Sequence, residues 1–345
     1  MDIVVLCGGI STERDVSLTS GVMVAKALKG RGHRVVLLDS YFGYEKPYDK
    51  PEDIFTNDES FDLISVGEKE PDLEAVKARR KQDNNSIVGD NVIEICRCAD
   101  IVFLAMHGEE GENGKLQALL DIHGIKYTGS GYLGSALAMN KTVSKHIFTE
   151  SGILTPSGIT VYAGNAPYED VGFPCVVKPC SGGSSVGTSI VNSRQEYEKA
   201  LELAFKYEDA VIVESYVKGR EFTCGVVDGK AMPIIEIIPK EGFYDYKNKY
   251  QPGATEELCP APIDEAKTLE IQRLSEKVND ALMIDSYCRV DFLMDDEGKL
   301  YCLEANTLPG MTPTSLVPRM AKEQGKDFGV FCEELIEVSL KKYNK

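Results

Sequence analysis

Five apolar residues in a row, Ile3 to Cys7, open the chain and stop at Gly8-Gly9. A run this short with no polar alternation reads as a strand buried on both faces. From Val16 to Leu28 the apolar positions recur every three or four residues, the spacing of an amphipathic helix. Arg34 to Leu38 forms a second apolar run. Strand, helix and strand in this order predict a β-α-β unit, and hence a parallel sheet. Residues 100–106 predict another buried strand, and Lys115 to His123 another helix. The stretch from about 41 to 91 is polar and poorly periodic, which predicts a surface insertion with one helix near 72–81.

After Gly129-Ser130-Gly131 the period changes. Helical runs lead to Thr155-Pro156, and short strands are predicted at 174–178, 188–191, 211–215, 222–227 and 231–238. Asp228-Gly229 joins the last two as a hairpin. A helix near 264–282, strands at 288–294 and 300–305, and a helix over 329–342 complete the pattern. The expected fold is an α/β subdomain over 1–130, with a parallel sheet, followed by α+β subdomains.

The chain has 345 residues, more than one ordinary core holds, which suits two or three subdomains. Hydrophobic residues make up 43% and charged residues 27%, the balance of a soluble globular protein. A net charge of -17 repels nucleic-acid phosphates, so no nucleic-acid partner is expected, although local lysines can still hold ATP. No apolar run is long enough to span a membrane, and Met1-Asp2 leads directly into the first strand. A cytoplasmic protein without a signal peptide is expected. Ten cysteines in a chain this long with no secretory signal predict no disulfide framework, and neither they nor the four histidines have the spacing of a zinc site.

The strongest chemical signal lies in the strands around Asp291 and Glu304. Arg289, Asp291 and Leu293 share one face by alternation, as do Cys302, Glu304 and Asn306. A turn centred on Glu297-Gly298 puts Asp291 opposite Glu304 and Arg289 opposite Asn306. Opposed side chains lie roughly 4.5–5.5 Å apart at Cβ, where like charges repel. A divalent cation reverses that sign, and two carboxylates with an amide oxygen suit Mg²⁺ holding nucleotide phosphates. The competing readings are a solvated hairpin face and a glycosidase acid pair. The second leaves the phosphate-type loops without a role, and the chain has no Trp to stack a sugar.

Lys178-Pro179-Cys180-Ser181-Gly182-Gly183-Ser184-Ser185-Val186-Gly187 is one such loop. Its glycines let main-chain amides approach an anion, and a lysine ending a buried strand needs one. It lacks the G-K-[ST] of a Walker loop. Gly8-Gly9-Ile10-Ser11-Thr12-Glu13 opens the first helix and matches a dinucleotide-binding turn poorly. Glu13 would repel a pyrophosphate there and suits an ammonium group better; alternatively it only complements the helix dipole. The loop from His107 to Gly114 follows a strand and opens a helix, where open α/β sheets bind ligands.

Taken together, these segments resemble the D-alanine–D-alanine ligase family of the ATP-grasp class. The resemblance rests on GGISTERDVSLTSG, HGEEGENGKLQALLDIHGIKYTGSG, ALAMNKTVSK, VVKPCSGGSSVG, GFYDYKNKY, RVDF and LEANTLPGMTPTSLVP, in order along nearly the whole chain except about 41–91. It implies a pre-ATP-grasp subdomain over 1–130 and a two-part ATP-grasp fold over 131–214 and 215–345. By motif, Lys141, Lys178 and Lys249 would bind ATP phosphates. Glu214, the Val217 backbone, Phe243 and Leu303 would hold the adenine, and Glu221 the ribose. Asp291, Glu304 and Asn306 would bind two Mg²⁺ (or Mn²⁺). Glu13 would hold the first D-alanine's ammonium, with Ser184 and Tyr250 linked to it, and His107 would lie near that substrate. Arg289 and the Gly310 amide would stabilise the oxyanion, and Ser315 with Leu316 would hold the second substrate's carboxylate.

The implied reaction forms an acyl phosphate and then a dipeptide for peptidoglycan, under a lid near 241–252. A homodimer is implied. Tyr250 points to D-alanine as second substrate; a D-alanine–D-serine or D-alanine–D-lactate ligase of the same fold is the alternative. A catalytically silent nucleotide-responsive protein is a rival of another class, disfavoured by the full set of Lys178, Asp291, Glu304 and Asn306. Ser181-Gly182 stands where the family often has an Arg-Glu pair, so a freer glycine loop is expected.

Overall fold

The first apolar run forms β1 (Asp2–Cys7), the centre of a three-stranded sheet. It pairs in parallel with β2 (Arg34–Asp39) on one side and β3 (Ile101–Leu104) on the other. Ile3, Val4, Val5 and Leu6 are fully buried, as a strand covered on both faces requires. The computed structural model describes all residues except 58–59, 63–65, 68–70, 81–85, 166–167, 184, 241, 243–248, 250–252 and 345.

Helix α1 (Arg14–Gly30) connects β1 to β2. The segment 41–91 carries α2 (Leu73–Arg79), as the pattern predicts. It is more than a surface insertion: Ile54 and Phe55 are buried in the same core as β1. The guanidinium groups of Arg14 and Arg79 lie 5.0 and 5.1 Å from the Phe42 ring centre. These apolar residues are few and unevenly spaced, so periodicity passes over them. Helices α3 (Val92–Arg97), α4 (Glu109–Glu112) and α5 (Lys115–Ile122) complete this part.

Helices α6 (Tyr132–Met139) and α7 (Lys141–Glu150) precede a four-stranded antiparallel sheet of order β4-β7-β5-β6. Its strands are β4 (Gly158–Tyr162), β5 (Cys175–Pro179), β6 (Ser189–Val191) and β7 (Ala210–Ser215), with α8 (Arg194–Ala204) packed on them.

A five-stranded antiparallel sheet follows, in the order β10-β9-β8-β11-β12. It comprises β8 (Arg220–Val227), β9 (Lys230–Pro239), β10 (Thr255–Leu258), β11 (Tyr287–Met294) and β12 (Leu300–Asn306). At the β8–β9 turn, Asp228 (φ 54°) and Gly229 (φ 70°) take the paired left-handed conformations of the predicted tight hairpin. Helix α9 (Glu265–Ala281) covers this sheet, and Ala138 of α6 and Phe148 of α7 join its core.

Helices α10 (Leu316–Glu323) and α11 (Phe328–Leu340) return to the first sheet, burying Met320, Phe331 and Leu335 in its core. Glu333 of α11 holds Arg31 at 2.8 Å and His33 at 2.9 Å. This return brings the chain after β12 against the loops at the ends of β1 and β3. No helix among the described residues is long and apolar enough to cross a membrane.

Candidate active site

Asp291 faces Glu304 and Arg289 faces Asn306, as alternation predicts. The route is less regular than a plain hairpin. Near the turn, Met294 pairs with Leu300 and Phe292 with Cys302; continued unchanged, that register sets Asp291 opposite Leu303. A bulge between Asp291 and Phe292 shifts it by one. A bulge also re-aims side chains. The consecutive residues Leu303 and Glu304 therefore both line one cavity.

Asp291 is buried and accepts four hydrogen bonds. The donors are Arg289 Nε (2.9 Å), Arg289 Nη2 (2.7 Å), Thr223 Oγ1 (2.6 Å) and Asn306 Nδ2 (3.1 Å). Lys141 Nζ is 3.4 Å from Glu304. Burial opposes the Glu304 charge, but Lys141, Lys249, Lys178 and Arg289 together hold its pKa well below the usual carboxyl range. On neighbouring β8, burial and then the nearby Asp291 push Glu221 up to about 7. Negative charge is thus crowded on this face, and its donors are hard oxygens. Among the described residues no three Asp, Glu, His or Cys side chains form a ready-made metal cage. Mg²⁺ needs none, since it binds through one or two carboxylates and completes its shell with phosphates and water. Asp291, Glu304 and Asn306 fit such an ion.

Across from this face stand β5 and β7. Lys178 Nζ lies 2.7 Å from Glu214 Oε2, so the anion this lysine needs is a protein carboxylate. Lys145, which the sequence reading did not single out, lies 2.7 Å from Glu214 Oε1. Burial works against the Glu214 charge; Lys178 and Lys145 outweigh it and keep the carboxyl ionised. A cleft of about 440 Å³ lies between the two sheets. Lys141, Lys178, Glu214, Val217, Glu221, Lys249, Asp291, Leu303 and Glu304 line it.

The glycine loop is held at its root despite Ser181-Gly182. Ser181 N donates to Glu208 (2.6 Å), Lys141 N to the Cys180 carbonyl (2.9 Å), and Lys141 Nζ to the Gly182 carbonyl (2.7 Å). These ties use the main chain and Lys141, so the two small residues do not free the root.

A second cavity of about 520 Å³ is lined by Glu13, His107, Glu112, Arg289, Asn306, Gly310, Ser315 and Leu316, among others. Its wall near Glu13 is built by main-chain pinning. Gly8 and Gly9 both have left-handed φ (77° and 78°). Gly8 N donates to Ser17 Oγ (2.8 Å), whose hydroxyl donates to the Ala105 carbonyl (2.7 Å). Ser11 Oγ donates to the His107 carbonyl (2.7 Å). Asp39, ion-paired with Arg14, lies against Gly8 at the end of β2. Glu13 stands at the N-cap position of α1, where it would repel a pyrophosphate, which disfavours the dinucleotide reading of this turn.

His107 is buried and lies 3.1 Å from the Leu308 carbonyl through Nδ1 and 3.0 Å from Ser20 Oγ through Nε2. The carbonyl only accepts, so Nδ1 carries the proton and Nε2 accepts from Ser20. Burial lowers the ring's pKa and favours this neutral form. Glu112 accepts from Gly108 N at 2.7 Å. Burial and then Glu13 push it up to about 8. A carboxylate beside a second, protonated carboxyl suits an ammonium guest. The sequence reading noted the surrounding loop without singling out Glu112.

Ser315 stands at the N-cap position of α10 without a side-chain capping bond; its Oγ accepts from Thr312 N at 3.1 Å and lies 2.8 Å from Thr312 Oγ1. The first-turn amides of that helix are suited to a carboxylate. The two cavities share Gly183, Lys249 and Glu304. A Cβ on Gly183 would overlap the Glu13 carboxylate, so glycine permits this close approach. Ser184, Phe243 and Tyr250 lie outside the described residues.

Known proteins match this chain along its length. A family profile described as "D-ala D-ala ligase N-terminus" matches residues 2–130, and one described as "D-ala D-ala ligase C-terminus" matches 162–337. A D-alanine–D-alanine ligase from Pediococcus pentosaceus is 41% identical over 349 aligned positions, covering 100% of this chain and 99% of the relative. One from Lacticaseibacillus casei is 40% identical, covering 99% and 97%. The structure of a Bacillus anthracis D-alanine–D-alanine ligase complexed with ATP superposes with a TM-score of 0.76 at 30% identity, covering 99% and 98%. VanG D-Ala:D-Ser ligase from Enterococcus faecalis gives 0.73 at 28%, covering 98% and 99%.

Proposed function

The chain belongs to the D-alanine–D-alanine ligase family, and from that premise we propose that it uses ATP to join two D-alanine molecules into the dipeptide of peptidoglycan precursors. One observation carries the reading. The cleft between the sheets and the cavity at Glu13 meet at Lys249, Glu304 and Gly183, so a phosphate in one can reach a carboxylate in the other.

ATP lies in the first cleft. Lys141, Lys178 and Lys249 face its phosphates, Glu221 its ribose, and Glu214, Val217, Phe243 and Leu303 its adenine. Asp291, Glu304 and Asn306 would hold two Mg²⁺ or Mn²⁺, which would neutralise charge on the phosphates. Glu13 holds the ammonium of the first D-alanine and aims its carboxylate at the γ-phosphate. Attack gives an acyl phosphate and ADP. The second D-alanine, its carboxylate at Ser315 and the start of α10, attacks the activated carbonyl through its neutral amine and expels phosphate. Arg289 and the Gly310 amide stabilise the oxyanion. By motif, Ser184 and Tyr250 would link to Glu13. The acyl phosphate hydrolyses readily, so the reaction needs water excluded from the junction of the two cavities. The subdomains 1–130, 131–214 and 215–345, a homodimer and a cytoplasmic location belong to the same reading.

The test is incubation with ATP, Mg²⁺ and equal D-alanine, D-serine and D-lactate at pH 7, with products separated by mass. The expected result is mainly D-alanyl-D-alanine with stoichiometric ADP and phosphate. Predominant D-alanyl-D-serine or D-alanyl-D-lactate would overturn the second-substrate assignment, and unchanged ATP would overturn the whole reading.

A further inference from the structure

One buried ammonium group at the nucleotide cleft has no part in the scheme above. Lys145 lies on α7, one turn beyond Lys141, and is only 7% exposed. Its Nζ is 2.7 Å from Glu214 Oε1 on β7 and donates to Thr155 Oγ1 at 2.6 Å. The Thr155 hydroxyl in turn donates to the main-chain carbonyl of Cys302 at 2.8 Å, and Cys302 N donates to the Leu154 carbonyl at 2.8 Å. Cys302 immediately precedes Leu303 and Glu304, which line the cleft from β12. Lys145 is therefore tied to both walls of the cleft, directly to β7 and through Thr155 to β12.

We propose that Lys145 is a positioning residue for the nucleotide: it anchors Glu214 so that Lys178 stays available to phosphate, and it fixes the spacing of β7 and β12. Glu214 meets Lys178 through one oxygen and Lys145 through the other. Without Lys145 the carboxylate turns to Lys178 and holds that lysine away from phosphate, since a buried charge is costly to leave uncompensated. Burial lowers the Lys145 pKa, and Glu214 works against that shift without cancelling it. The proposal rests on the first cleft being the nucleotide site.

The test is a double-variant cycle on the full chain, read by calorimetric affinity for a non-hydrolysable ATP analogue with Mg²⁺. KM for D-alanine and the thermal midpoint are measured alongside. Lys145→Met is expected to weaken the nucleotide about tenfold, with both D-alanine KM values within about twofold, and Lys145→Arg to recover most of the loss. In a Glu214→Gln background the same Lys145→Met change should cost clearly less than in the parent, about threefold, because the anchoring of Glu214 is already lost and only the tie through Thr155 is left to cut. An equal loss in both backgrounds, or none in either, would overturn the proposal. Should Lys145→Met fail to fold, Thr155→Val decides, since it keeps every charge and cuts only the tie to β12. Weaker nucleotide affinity at unchanged D-alanine KM supports the positioning role, and unchanged affinity overturns it. If the unaltered protein binds no nucleotide, the reading of the cleft fails too, a result distinct from normal binding with an additive cycle.

Discussion

The two cavities place their chemistry by different means. In the cleft between the sheets, Lys178, Glu214, Glu221, Asp291 and Glu304 stand on strands, and their charges are balanced against one another. In the cavity at Glu13, Arg289, Glu304 and Asn306 come from β11 and β12, but the other groups come from loops and helix starts far apart in sequence. Main-chain hydrogen bonds place them: Ser11 on the His107 carbonyl, His107 on the Leu308 carbonyl, Gly108 on Glu112. Substitutions in the first region should therefore act mainly through charge, and those in the second mainly through geometry.

The largest effect should come from breaking the charge balance. Glu304→Ala is expected to lower kcat by about 10²–10³-fold, the order found when one stabilising group leaves a preorganised site. Steady-state turnover at saturating ATP and D-alanine measures it. Full turnover in excess chelator would show that the carboxylate pair serves no metal.

Geometry is tested next at Gly183. Gly183→Ala pushes a methyl into the Glu13 carboxylate and is expected to lower kcat by roughly 10²-fold while nucleotide affinity stays near the parent value. A matching loss of nucleotide affinity would mean that the two regions are not separable. Glu13→Gln sharpens the same division. Losing an ammonium's charged partner should cost about 2 kcal/mol or more, raising KM for the first D-alanine roughly 30-fold without weakening ATP. The dependence of rate on each substrate reads this out.

The smallest expected effect concerns Glu112. Its raised pKa means that the folded protein holds this proton more tightly than the unfolded chain does. The resulting stability is full below the ordinary carboxyl value of 4.5 and is lost as pH rises through about 8. The parent's Tm should therefore carry a downward contribution across that window, and Glu112→Gln should remove it. Parallel Tm–pH curves would contradict this.

The same contrast explains what the sequence reveals. Alternation placed Asp291 opposite Glu304, because a side chain's face on a strand follows from its position. It could not show the bulge at that pair, which depends on how β11 and β12 meet. Lys145 escaped notice because an isolated lysine in a helix reads as surface; its burial depends on β7 and on Thr155, both distant in sequence. Helix α8 did carry a legible signal in Ser193 followed by Glu196: Ser193 Oγ accepts from Glu196 N, and the Glu196 carboxylate accepts from Asn192 N. At Glu13 no periodic feature separates an ammonium site from a dipole-matching acid. There the family resemblance supplied the role and His107, and the structure supplied the neighbours Glu112 and Gly183.

The central claim is that the two cavities exchange a phosphoryl group at their junction. The most direct measurement uses D-alanine labelled with ¹⁸O in its carboxylate, ATP and Mg²⁺, with the inorganic phosphate analysed by mass. Attack of that carboxylate on the γ-phosphate, followed by expulsion of phosphate, predicts one ¹⁸O transferred to phosphate for each dipeptide formed. Dipeptide formed with unlabelled phosphate would contradict the account.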